Sequence, residues 1–113
     1  MFTNYPSQAR ATRALLKFCE DHDNHVGSVT VLRSCLRSLE CGDLGAALEA
    51  YKKIPLGGMG CFNDWLPPAV FSHENLEYAQ TVFDALVTQW SLLMRLLLAD
   101  RDKPEKGGVV ERI

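Results

Sequence analysis

The sequence lacks a long apolar run, which limits where the protein can be located. Its most apolar window, Leu92 to Ala99, is short and contains Arg95, whereas a membrane-spanning helix needs about 20 apolar residues. The N-terminal stretch MFTNYPSQARATR has no basic region followed by an apolar region, so it does not resemble a secretory signal. We therefore expect a soluble, cytoplasmic protein without a membrane partner.

The sequence also lacks an excess of basic charge, any C-x-x-C pair and any useful length of strand-like alternation. A net charge of −2 and a pI of about 5.9 argue against a nucleic-acid partner. The cysteines are not spaced as zinc ligands, and in a reducing cytoplasm we expect free thiols. They are Cys19, Cys35, Cys41 and Cys61. The 113 residues, 47% of them hydrophobic, fit one globular domain.

Apolar residues instead recur at steps of three and four along four segments, which predicts amphipathic helices. The predicted helices are Ser7–His22, Ser28–Glu40, Asp43–Lys53 and His73–Ala99. Their candidate N-caps include Ser7, Asp43 and Ser72, and Gly42 is expected to stop the second helix. We predict an all-α fold, a small four-helix bundle with a structured glycine-rich loop between helices 3 and 4. Residues 1–100 would form one domain and residues 101–113 a flexible charged tail.

The end of the last predicted helix is apolar on nearly every side. A helix of this kind is usually covered on more than one face. One interpretation is that the N-terminal segment, with Phe2 and Tyr5, folds over it. The other is a partner interface or a homodimer, since large apolar patches usually mark contacts. The residues that would form the homodimer contact are Leu92, Met94, Leu96 and Leu98.

The most unusual segment is PLGGMGCFNDWLPP, residues 55–68, between the third and fourth predicted helices. Its glycines permit a sharp exit from the third helix or close approach by another group. We expect Asn63 or Asp64 to start a one-turn helix through Trp65 and Leu66, which the following prolines stop. In a structural interpretation the segment plugs the open end of the bundle. In a functional one it presents Asp64 and Trp65 to a partner. The candidate binding residues are Gly57, Gly58, Met59, Gly60, Phe62, Asn63, Asp64 and Trp65.

The motif GGMGCFNDW resembles the signature of an uncharacterised family of small bacterial all-helical proteins. The similarity extends from about Leu32 to Leu97, and Cys61 stands where the family pattern has serine. The matching residues are Leu44, Leu48, Gly57, Gly58, Met59, Gly60, Asn63 and Asp64. The resemblance implies no established activity. Some members look like immunity proteins for bacterial toxins, which would make this chain a binding protein.

Two groups of residues in the sequence offer weaker alternatives to this interpretation. Cys61 and His73 are the only thiol and imidazole near the loop, but a cysteine nucleophile also needs an orienting third group. His22 and His25, beside two aspartates, are more simply solvated polar residues than metal ligands. We therefore predict a non-catalytic protein-binding module of toxin-immunity or regulatory type, without a cofactor or a metal. The alternative is a small ligand-binding or enzymatic domain whose glycine-rich loop holds an anionic group.

Overall fold

The computed structural model describes residues 5–24, 27–56 and 61–102. Within these ranges all regular structure is helical and no strand is present, which confirms the predicted all-α four-helix bundle. Its elements are α1 (Pro6–Asp21), α2 (Gly27–Cys41), α3 (Leu44–Lys53), a single 3-10 turn (Phe62–Asp64) and α4 (Leu76–Asp102). The remainder of the predicted tail, 103–113, lies outside the described residues.

Helix α1 packs against both α2 and α4. Ion pairs of 2.8 Å from Arg13 to Glu40 and from Arg33 to Glu20 show that α1 and α2 run antiparallel. The amide of Gln8 donates to the carbonyl of Leu93 at 3.2 Å, so the start of α1 lies beside the second half of α4. The end of α1 must therefore lie beside the start of α4.

Helices α2 and α3 form a tight antiparallel hairpin. Gly42 has a φ of 84°, a left-handed conformation that favours glycine, and this confirms it as the stop of α2. Asp43 then caps α3 as predicted, because its carboxylate accepts the Ala46 amide N–H at 3.0 Å. Across the hairpin the Cys35 thiol lies 3.6 Å from the Ala47 carbonyl oxygen.

Two of the predicted N-caps were wrong. Helix α1 begins at Pro6, whose missing N–H and fixed φ suit the first helical position, so Tyr5 rather than Ser7 is the cap residue. Helix α4 begins at Leu76, and its cap is Asn75, whose side-chain oxygen accepts the Tyr78 N–H at 2.7 Å. Ser72 is not the cap, because the chain forms a turn there and becomes helical only after the Asn75 side chain.

The core is formed by one face of each helix. α1 contributes Leu15 and Cys19, α2 contributes Leu32 and Leu39, and α3 contributes Leu48, all fully buried. The buried row of α4 consists of Ala79, Phe83, Val87, Trp90 and Met94. This row follows steps of three and four, so it uses only one side of the helix.

Helix α4 is also long and apolar enough, over residues 76–101, to meet the length and composition of a membrane span. The core helix of a soluble protein meets the same two criteria, so the finding assigns no location. It does show that much of α4 is apolar outside its buried row, because only 22% of its apolar window is buried within the chain.

Candidate functional site

In its described part, the connector that joins α3 to α4 is held to the bundle by two groups of side chains, which we call anchors. The first anchor is aromatic. Phe62, 5% exposed, meets the ring of Phe83 edge to face at a centroid distance of 5.5 Å. Trp65 meets Phe83 at 4.9 Å and Phe18 at 6.2 Å, also edge to face. Such arrangements are favourable for aromatic pairs, so the start of the connector is packed against α1 and α4.

The second anchor is a buried ion pair between His22 and Glu74. The ring Nε2 of His22 lies 2.8 Å and 3.0 Å from the two carboxylate oxygens, and the side chains are only 3% and 4% exposed. The same carboxylate accepts the backbone N–H groups of Val70 and Phe71, at 2.9 Å and 3.1 Å. Glu74 therefore closes the turn that precedes α4 and ties this turn to the end of α1.

Both ring nitrogens of His22 face hydrogen-bond acceptors. His22 Nδ1 lies 2.8 Å from the carbonyl oxygen of Phe18, which can only accept. Nε2 faces a carboxylate, so an imidazolium that donates from both nitrogens satisfies the site. The His22 ring also lies at the C-terminus of α1, where the helix dipole favours positive charge. Burial raises the pKa of the Glu74 carboxyl, but hydrogen bonds from the two backbone amides and His22, with the charge of His22, lower this pKa to about 2.

Apolar side chains are exposed between the two anchors and just after the second one. Leu66 is 75% exposed and Leu76 is 68% exposed, while Val70 and Phe71 are nearly half exposed. We call these four side chains the connector surface. The ring of Phe71 meets the His22 ring edge to face at a centroid distance of 5.6 Å, and it stacks on the His73 ring at a centroid distance of 5.9 Å. Elsewhere among the described residues, only Tyr78, Leu92 and Leu96 in α4 are large apolar groups exposed to this degree.

The predicted binding loop divides into a described and an undescribed part. Gly57, Gly58, Met59 and Gly60 lie outside the described residues. Of the rest, Phe62 is buried, Asn63 and Trp65 are partly buried and Asp64 is exposed. The one-turn helix is Phe62–Asp64, so it begins before the predicted start at Asn63 or Asp64 and ends before Trp65, which is extended. Within this turn the Phe62 side chain is buried in the core.

A shallow pocket of about 460 Å³ borders the first anchor. Its described lining is Asn24, Gly27, Ser28, Pro55, Cys61, Phe62, Asp64 and Trp65. Asp64 is the only charged side chain among them, and a carboxylate at this position disfavours an anionic ligand. The pocket is therefore a poorer match for a bound anion than the glycine-rich motif alone indicates.

The His22–Glu74 pair was missed by the sequence analysis, which interpreted His22 as a solvated residue or a metal ligand. The structure corrects the first interpretation, because His22 is buried. One signal was present: His22 follows Leu15, Phe18 and Cys19 at helical spacing, so it continues the buried face of α1. His25 lies outside the described residues, and within them no group of three or more metal-ligating side chains is clustered.

The cysteines differ in their environments. Burial raises the pKa of the Cys35 thiol to about 12, and burial together with the nearby charge of Glu20 does the same for Cys19. Both thiols therefore remain protonated and serve as small core residues. Cys41 is exposed, and Cys61 is partly exposed beside the pocket.

The predicted dimer residues of α4 do not all lie on one surface. Leu92 and Leu96 are half exposed or more, and Leu98 is partly buried. Met94 is fully buried in the core of its own chain, so it is not available to a second molecule.

Comparison of the chain with models of protein families, with curated proteins and with solved structures finds no match.

Proposed function

We propose that this protein is a non-catalytic protein-binding module that contacts its partner through the connector surface. The observation that carries the proposal is the exposure of Leu66, Val70 and Phe71 on a segment without regular helix, next to exposed Leu76 at the first position of α4. Large apolar side chains that a folded domain leaves exposed in one region often mark a contact site. Aromatic groups such as Phe71 are also preferred anchors in protein interfaces.

The two anchors support the proposal because they fix the connector before a partner arrives. Binding by a slack segment would have to order that segment first, at a cost in conformational entropy. Here Phe62 and Trp65 hold one end against Phe83, and Glu74 holds the other against His22. The partner would therefore meet a preformed surface, which favours useful affinity from a small contact area.

The resemblance to small bacterial helical proteins suggests the kind of partner. If the chain acts as an immunity protein, its partner is a toxin domain encoded beside it. The matching residues Asn63 and Asp64 lie in the 3-10 turn at the start of the connector, next to the proposed contact. A toxin gene adjacent to the gene for this chain would support this specific form of the proposal. Its absence would leave a regulatory partner as the remaining form.

The experiment compares capture of the neighbouring gene's product by wild-type protein and by the variant Leu66→Asp/Leu76→Asp. Both side chains are more than two-thirds exposed, so we expect the folded state to change by no more than about 0.5 kcal/mol per site. The matched control is Thr30→Asp/Ser34→Asp, which adds the same two charges at exposed positions of α2. Binding should be lost in the Leu66→Asp/Leu76→Asp variant and kept in the control. Equal binding by all three proteins would exclude the connector surface as the contact.

A small anionic ligand is the alternative function, and the same protein preparations test it. Because Asp64 lines the pocket, we expect inorganic phosphate to leave the melting temperature unchanged. A saturable rise in melting temperature that is abolished by Gly58→Val would favour the ligand-binding function over the protein-binding one.

A further inference from the structure

The outward side of α4 carries a row of uncharged, exposed residues along most of its length. Tyr78, Ala85, Leu92 and Ala99 follow one another at seven-residue steps, and each is exposed. Between them lie Thr81, Thr88 and Leu96, which are exposed as well. Residues three, four and seven apart share one face of a helix, so these side chains form a single stripe about 32 Å long. We call it the outer face of α4.

The outer face differs from an ordinary solvated helix surface. An amphipathic helix normally presents charged side chains opposite its buried row. Here the row opposite Phe83, Trp90 and Met94 contains no Lys, Arg, Asp or Glu. Apolar or small side chains repeated every seven residues are the pattern by which helices pack along one another.

We propose that the outer face binds a second copy of this chain, with the two α4 helices antiparallel across a two-fold axis between Thr88 and Gln89. In this register Leu92 of one copy lies against Ala85 of the other, and the reverse contact follows by symmetry. Tyr78 similarly meets Ala99 of the second copy. Each layer therefore pairs a large side chain with a small one. A parallel dimer would place leucine on leucine and alanine on alanine, so its layers would alternate between crowded and empty.

The charges beside the outer face fit the same arrangement. Asp84 and Arg95 lie on one flank of the stripe, and a two-fold axis across antiparallel helices brings this flank of both copies to the same side. Asp84 of one copy then lies near Arg95 of the other. The two residues are offset along the helix axis by about half a helical turn. Within the described part of its own chain Arg95 has no carboxylate partner. In the dimer, Asp84 of each copy would supply a carboxylate partner for Arg95 of the other.

This interface differs from the connector surface, so the two proposals can succeed or fail separately. The dimer contact uses the outward residues of α4, and it leaves Leu66, Val70 and Phe71 open to another partner. It also revises the contact expected from the sequence, because buried Met94 is replaced by Ala85 and Ala99.

The test is sedimentation velocity of the full chain over a wide range of concentration. We expect a species of twice the 12.6 kDa chain mass to form as the concentration rises. Leu92→Glu should shift the protein to monomer, whereas Thr30→Glu, an equal charge change on exposed α2, should leave the dimer intact. Circular dichroism of each variant confirms that its helices are retained.

A charge exchange tests the antiparallel register itself. Asp84→Arg should weaken the dimer by facing one cation with another, and Asp84→Arg/Arg95→Asp should restore it. Failure of the second variant to recover the dimer would exclude this register. A wild-type chain that remains monomeric throughout overturns the proposal, and so does a monomer that instead co-sediments with phosphatidylcholine vesicles through α4.

Discussion

Replacing Phe62 by alanine measures how much the first anchor of the connector contributes to folding. Phe62 is almost completely buried and its ring contacts that of Phe83. Removal of a buried phenylalanine side chain costs about 3–5 kcal/mol, which combines lost burial with the cavity that remains. Because a domain of this kind is stable by about 5–15 kcal/mol in total, the substitution should remove a large part of that free energy.

Urea-induced unfolding, followed by circular dichroism, measures the effect. A loss of about 4 kcal/mol, with a denaturant slope of about 2 kcal/mol per M, lowers the unfolding midpoint by about 2 M. The control is Leu66→Ala four residues later. Its side chain is 75% exposed, so its free energy of unfolding should change by no more than about 0.5 kcal/mol. A loss below about 1 kcal/mol for Phe62→Ala, at an unchanged slope, would refute the claim that the connector is packed.

A double-mutant cycle isolates the ring contact from the burial of each ring. Phe62→Leu and Phe83→Leu each remove an aromatic ring while keeping most of the apolar volume. If the edge-to-face contact forms in solution, the two changes should be coupled by about 0.5–1.5 kcal/mol. Independent effects would mean that the two residues are buried separately.

Three further predictions concern the cap of α4, the ion pair and the thiols. Asn75→Ala should lower the free energy of unfolding by about 1 kcal/mol, measured in urea, whereas Ser72→Ala should have little effect. Because the pKa of Glu74 is lowered to about 2 in the folded state from an ordinary 4.5, its stabilisation is complete above about pH 4.5 and is lost as pH falls toward 2. The melting temperature should follow this trend, and Glu74→Gln should flatten it. Iodoacetamide should alkylate Cys41 in the native protein but Cys35 only in denaturant, as mass spectrometry would show.

The helices could be predicted from the sequence because each buries one face, and this requirement imposes a periodic pattern on neighbouring residues. The stops and caps at Gly42 and Asp43 were equally predictable, since each acts on backbone groups within a few residues. The cap of α4 was not, because several polar residues precede the helix and their order alone does not show which one the backbone uses. Ser72 and Asn75 are both good caps, and only the turn closed by Glu74 decides between them.

The candidate site was less predictable for a different reason. His22 and Glu74 are separated by 52 positions in the chain, and no local pattern links a histidine at the end of one helix to a glutamate before another. The antiparallel packing of α1 and α4 brings them together. The glycine-rich motif was the most conspicuous feature of the sequence. The exposed apolar side chains lie after it, on residues whose sequence resembles an ordinary interhelical loop.

The ion pair and the exposed side chains are parts of one arrangement. A free connector that carries leucine, valine and phenylalanine would lower its energy by turning them inward. Glu74 opposes this movement, because it accepts the backbone N–H groups of Val70 and Phe71 and so holds the backbone where those side chains begin. An apolar pair in place of His22 and Glu74 would fill the same space, but it would leave both amides without this acceptor. The Glu74 carboxylate therefore fixes the shape of the turn that bears Val70 and Phe71.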